Sequence, residues 1–235
     1  MKKVLPFLIM FLLIISCKKQ STQIINDSIV LKQGNNNTET SDDFLNVFKN
    51  IEAKGLHIYP PTFDDGGKII KTPFEGIPID IKRYKFFEDK SIFFNEDAVE
   101  KGLSNIYAVG KFEMNDKFIG LIIRQRSQYD ETLIEIVLWD KNKKKIISSL
   151  TLADTFGDEN WFFDKESWIK DFRYNKELKI ISRKKDKISK ENCFKVNCDS
   201  IETDSFRLSQ FKTNKFISKI IKVADLENYK LKVLK

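Results

Sequence analysis

The sequence predicts a mainly β protein: an antiparallel β meander or sandwich with one N-terminal helix packed on it. Three observations carry this expectation. Beyond residue 105, short segments rich in Ile, Val, Phe and Trp recur, and these types suit a pleated, half-buried surface. The breaks between them are short and turn-like (Asn115 and Asp116; Tyr129, Asp130 and Glu131; Lys141, Asn142 and Lys143), and such breaks join antiparallel neighbours. Ahead of them lies one stretch with helical spacing. The composition supplies the material: 41% of 235 residues are hydrophobic and 20 are Phe, enough to bury a core. Nine Gly and five Pro exclude collagen-like and low-complexity chains.

In chain order, Met1, Lys2 and Lys3 precede an apolar run over residues 4–15 that ends in Ser16 and Cys17. The run is too short for a membrane-crossing helix, which needs about 20 residues, and it has the charged start and apolar middle of an export signal. Its end, Ile14, Ile15, Ser16, Cys17, resembles the lipobox of bacterial lipoproteins: an aliphatic residue, a tolerated one, a small one, then cysteine. The resemblance implies that residues 1–16 are a signal peptide and that the Cys17 thiol carries diacylglycerol on a newly acylated amino terminus. Two or three acyl chains, at about 0.8 kcal/mol per buried CH₂, anchor a protein stably where one does not. Lys18 stands where an inner-membrane retention signal has Asp, and no acidic cluster follows. The family rule then places the protein in the cell envelope, lipid-anchored at the outer membrane and facing the periplasm. In composition the folded part resembles the small envelope lipoproteins of Lys-, Ile- and Asn-rich bacterial proteomes.

Removing Lys2 and Lys3 from 41 basic residues leaves 39 against 34 acidic ones, a modest excess interleaved along the chain. The basic runs Lys143, Lys144, Lys145 and Arg183, Lys184, Lys185, with Lys187 and Lys190, read as solvated turns and strand ends. A nucleic-acid footprint would be more concentrated, so no nucleic-acid partner is expected. The expected partners are the membrane, through the lipid, and a protein. With Cys17 lipidated, Cys193 and Cys198 remain, and an oxidising compartment favours a disulfide between them.

Residues 17–41 are polar and read as a flexible tether, leaving 42–235 as a single globular β-rich domain. The best helix spans 41–55. Ser41 suits the cap, Asp42 and Asp43 the first turn and Gly55 the exit, with Phe44, Phe48 and Ile51 on one stripe. Residues 57–80 hold Pro60, Pro61, Pro73 and Pro78 and read as turns and extended pieces. A short helix is expected over 96–101, stopped by Gly102. Strands follow over 106–114, 117–124, 132–139, 145–152, 178–183, 205–212 and 216–222. The near-continuous apolar content of 134–139 marks a central strand.

Between these strands, residues 154–171 concentrate Phe156, Trp161, Phe162, Phe163 and Trp168 with Asp154, Asp158, Glu159, Asp164 and Glu166. The segment reads as a long inter-strand loop whose aromatics plug the core, with Trp161, Phe162 and Trp168 as the candidate interaction loop. Beyond it, Asp171 and Asn175 before an apolar strand resemble the calcium-loop repeat of integrin-type β-propellers. Arg173, Lys176 and Lys179 stand where that repeat has Asn, Gly and Asp, so the resemblance implies loop-then-strand geometry and no metal.

No nucleophile elbow, zinc-protease helix, phosphate loop or dinucleotide fingerprint occurs, and His57 is the one histidine. No catalytic residue, metal or cofactor is therefore assigned. The expected function is a non-catalytic binding or interaction module of the envelope, with an immunity or inhibitor protein as its specific form. The alternative is a periplasmic glycan-binding or glycan-cleaving protein working through 154–171, with Asp158, Glu159 and Asp164 as its carboxylates and Trp161 in its platform.

Overall fold

The computed structural model describes residues 40–64, 69–70, 72–87, 105–125, 132–157, 161–171, 177–189 and 200–229. The protein is mainly β. Among the described residues ten strands form one antiparallel sheet that is not closed into a barrel. They are β1 (His57–Ile58), β2 (Ile77–Pro78), β3 (Ile106–Glu113), β4 (Phe118–Gln125), β5 (Leu133–Asp140), β6 (Lys145–Gly157), β7 (Trp161–Asp171), β8 (Lys179–Ser189), β9 (Ser200–Lys212) and β10 (Lys215–Ile221). From β2 to β10 each strand lies beside its sequence neighbour, so the sheet is a meander; β1 alone leaves this path and pairs with β7.

The meander folds over at β6. Its first part, to Ala153, pairs with β5, and its last part, Asp154 to Gly157, pairs with β7. Where β6 leaves off, β1 takes its place on β7, with His57 opposite Trp168. Two layers result. Strands β4 and β5 bury both faces, one against each of two cores. On one face Ile122, Ile134, Ile136 and Leu138 meet Ile169, Leu178 and Ile180 of the β7–β8 layer. On the other, Leu121, Ile123, Val137 and Trp139 meet Phe44, Phe48, Tyr84 and Phe87. The central strand expected at 134–139 is this doubly covered β5. A third, smaller core holds Ile181, Phe206 and Leu208 under Leu226 of a 3₁₀ turn, Val223–Tyr229.

Three differences from the expected elements stand out. The helix, α1, spans only Ser41–Leu45 and is capped by Thr40, whose hydroxyl accepts from the Asp43 N–H. It stops early because the backbone at Lys49 and Ile51 bonds to Lys111 of β3 instead of continuing the helix. Phe44 and Phe48 nevertheless pack on the sheet, with Phe44 5.3 Å from the Trp139 ring. Strands β8 and β9 extend well past their expected ends, through charged residues, because each has a hydrogen-bonded neighbour on both sides. A strand so placed is held by its ladders, and its charges project from the two faces. The third difference is the segment read as a loop: residues 161–171 are the strand β7. The helix expected at 96–101, and Cys17, Cys193 and Cys198, lie outside the described residues.

The proline-bearing segment is extended and turning, as expected. It is tied to the sheet by Arg124, a buried side chain of β4 whose Nε and Nη2 both donate to the Glu75 carbonyl, at 3.1 and 2.9 Å. The same guanidinium lies 3.9 Å from the Tyr107 ring centre.

Candidate ligand-binding groove

Successive residues of a strand point to opposite faces, so β7 divides the aromatic and acidic segment in two. Trp161, Phe163, Lys165, Ser167 and Ile169 face the inside of the fold-over; Phe162, Asp164, Glu166 and Trp168 face away from it. The candidate interaction residues are therefore separated: Trp161 lies on one side, Phe162 and Trp168 on the other. Asp154, opposite Lys165, shares the inner face, whereas Asp164 shares the outer face with Lys185. Asp158 and Glu159 lie outside the described residues.

On the outer face the charges neutralise one another across the strands. Arg183 donates from Nε and Nη2 to the two Asp204 carboxylate oxygens, at 3.0 and 2.9 Å, and reaches Glu166 at 3.5 Å. Lys185 pairs with Glu202 at 2.8 Å. His57 meets Glu166 at 2.7 Å and stacks on the Trp168 ring at 4.7 Å. The one histidine is thus a surface residue on a short strand, and Trp168 is its stacking partner. Asp164 is pushed up by burial and then by the neighbouring Glu166 carboxylate.

The inner face is organised differently. Nearest the core are hydroxyl pairs, Ser167 with Ser182 at 2.8 Å and Ser209 with Ser218 at 2.7 Å. Beyond them a row of Cα partners runs across four strands: Asp154, Lys165, Lys184, Ser205. Arg207 lies beside this row, opposite Ser182. The next row holds Phe156, Phe163, Asp186 and Thr203, and the outermost Trp161, Ile188 and Ile201. Phe163, Lys165, Ser182, Lys184, Ser205 and Arg207 floor an open groove of about 290 Å³, walled on the β6 side by Thr151 and Asp154.

Within the groove the cations are unequal. Lys184 is engaged: its ammonium donates to Asp186 at 2.7 Å and sits 4.7 Å from the Phe163 ring centre and 5.2 Å from that of Trp161. Asp186 also accepts from the Trp161 indole N–H at 3.2 Å, which fixes the aromatic end of the groove. Lys165 is half-buried, and its ammonium has no hydrogen bond or ion pair among the described residues. Burial lowers its pKa to about 8; Arg207 and Lys184 push the same way, against the attraction of Asp154 and Glu135. Glu135 is itself pushed up by burial, although Thr151 and Gln125 donate to its carboxylate. The Arg207 guanidinium, exposed at the rim, makes no ion pair among the described residues.

Chemically, the inner face offers surplus positive charge beside an aromatic wall. Among the described residues no group of three or more His, Cys, Asp or Glu side chains is placed to hold a metal ion. Asp154 and Asp164 lie on opposite faces of the sheet and do not flank a common bond. Sequence reasoning missed Lys165 and Arg207 and read Lys184 as part of a solvated run. The signal that finds Lys165 is the alternation along 161–169, which the triplet Trp161, Phe162, Phe163 obscures. Compared with family models, curated proteins and solved structures, the chain matches none.

Proposed function

We propose that this chain is a lipid-anchored envelope protein, held through Cys17 at the periplasmic side of the outer membrane, and that it acts as a non-catalytic binding module. The anchor rests on the charged start, apolar run and Ser16, Cys17 junction at the amino terminus. The binding module rests on one observation above the others, the asymmetry of the β7–β9 layer. Its outer-face cations are matched to acids within the sheet, while Lys165 and Arg207 on the inner face make no ion pair among the described residues. Surplus charge beside the exposed apolar side chains Ile188 and Ile201 is what an interaction surface presents. An immunity or inhibitor role, neutralising an enzyme that reaches the periplasm, is its most specific form. In that oxidising compartment we also infer a Cys193–Cys198 disulfide.

The glycan reading keeps one point in its favour, the cluster of Phe156, Trp161 and Phe163, with ring centres 5.2 to 6.0 Å apart, at the end of the groove. It loses the larger platform, because Phe162 and Trp168 face the other way.

The test is affinity capture of the lipidated protein and its R207M variant from their own envelope. A stoichiometric partner that R207M loses, and that a K219M variant on the outer face of β10 keeps, supports the module. A partner held equally by all three proteins removes the inner face from the reading. Cys17→Ala should release the protein from the membrane fraction; retention of that variant would overturn the anchor.

A further inference from the structure

The groove says more than that the inner face binds. Its walls carry three cations, Lys165, Lys184 and Arg207, and one carboxylate, Asp154; Lys184 is held by Asp186 at the edge of the groove. Ser182 and Ser205 also line it, their hydroxyls bonded to the Ser167 hydroxyl and the Lys184 carbonyl. Lysine and arginine are the groups that hold phosphate and carboxylate oxygens. The space is small: about 290 Å³ is at the lower end of ligand cavities and suits a compact molecule. One wall is Phe163, packed against Trp161 at 5.2 Å, an apolar surface that a bare inorganic ion would leave unused.

Acids to neutralise Lys165 are not lacking in this layer, since the same strands pair Arg183 and Lys185 on their other face. A half-buried ammonium in mid-strand with no bonded partner among the described residues is a costly arrangement unless a ligand supplies the counter-charge. We propose that the groove over β6–β9 is a binding site for a small molecule carrying a doubly charged oxyanion, a phosphate monoester or a dicarboxylate, on an apolar body. The oxyanion sits among Lys165, Lys184 and Arg207, and the body rests against Phe163 and Trp161. The proposal deepens the binding-module reading and rests on it: it gives the chemistry of what the inner face takes.

Titration calorimetry, with Trp161 fluorescence in parallel, tests it on the full chain with three probes: inorganic phosphate, phenyl phosphate and phenylsuccinate. The expected result is saturable one-to-one binding of phenyl phosphate or phenylsuccinate, tighter than inorganic phosphate. It should weaken about tenfold or more in K165M and in R207M, the loss expected for one charge-assisted hydrogen bond. K165R, which keeps the charge, should retain most of the affinity, and this separates loss of charge from loss of folding. Whichever of the two aromatic probes binds names the oxyanion's source. Saturation by neither, or equal affinity in wild type and K165M, overturns the proposal. If neither probe binds while R207M still loses an envelope partner, the module reading survives without this ligand. If a probe binds and no partner is captured, the ligand site stands and the protein-docking form falls.

Discussion

Lys165 is where local chemistry and stability pull apart. Its amine is half-buried in mid-strand, facing Asp154 from β6, Glu135 from β5, Lys184 from β8 and Arg207 from β9. Burial outweighs the two acids and lowers its pKa to about 8, whereas an unfolded lysine keeps its proton to about 10.4. Below both values each state is protonated, and the folded state carries the burial penalty. Between them the unfolded chain binds more protons, so this residue's contribution to stability rises with pH from about 8 upward. Lys165→Met should therefore be more stable than wild type at neutral pH, by on the order of 1 kcal/mol. It should also lack that rise. Urea denaturation of both proteins near neutral pH and again between about 9 and 10 checks this, since every other lysine is common to the two. Parallel pH dependences would show that Lys165 titrates normally. A charged side chain that lowers stability where an apolar one would raise it is what a binding site looks like energetically. Its identity is legible in the sequence and its situation is not: nothing in Phe163, Asp164, Lys165, Glu166 says which of the four lies inside the fold.

At the scale of elements, β-branched and aromatic content bounded by turns located seven of the ten strands, β3 to β6 and β8 to β10. The pattern failed where an element is held by its neighbours. Strand β7 carries three consecutive aromatics and alternating acids and cations, and it is a strand because β6, β1 and β8 supply its hydrogen bonds. The helix failed in the other direction: its capping and apolar stripe are real, but strand-like bonds from Lys49 and Ile51 to β3 cut it to Ser41–Leu45. The β9–β10 hairpin is a subtler case. Lys212 and Lys215 are partners across a two-residue turn, and Thr213 and Asn214 both have positive φ, 50° and 69°. This is the mirror-image turn that matches strand twist, and it favours Asn-Gly. A β-branched threonine in the left-handed region is strained. The double substitution T213N/N214G should then stabilise the protein by about 1 kcal/mol, read as a higher denaturant midpoint at unchanged slope. A lower midpoint would mean that the Thr213 side chain makes a contact worth more than the strain.

The whole molecule is a meander that folds over at β6, and the order of its strands gave no hint of that fold-over. What joins the two layers is side-chain packing drawn from segments far apart in sequence. Phe118 of β4 meets Phe211 of β9 edge-on, with ring centres 5.2 Å apart. Ile169, Leu178 and Ile180 complete the core that β4 and β5 begin. Neither layer buries its inner apolar face without the other, so the two are expected to unfold together in spite of the open sheet. The three tryptophans divide conveniently between them: Trp139 is buried in the β2–β6 layer, while Trp161 and Trp168 belong to β7. A W161F/W168F variant reports the first layer by fluorescence and W139F reports the second, with far-ultraviolet dichroism following the sheet in both. In each variant the fluorescence and dichroism midpoints should coincide. Separate midpoints would mean that the layers fold as independent units, each stable without the contact at Phe118 and Phe211. Coincidence has a consequence for the groove, whose floor is the β7–β9 layer and whose wall is β6. A ligand held there would touch both sides of the fold-over and raise the stability of the molecule as a single unit, by an amount set by its concentration relative to its dissociation constant.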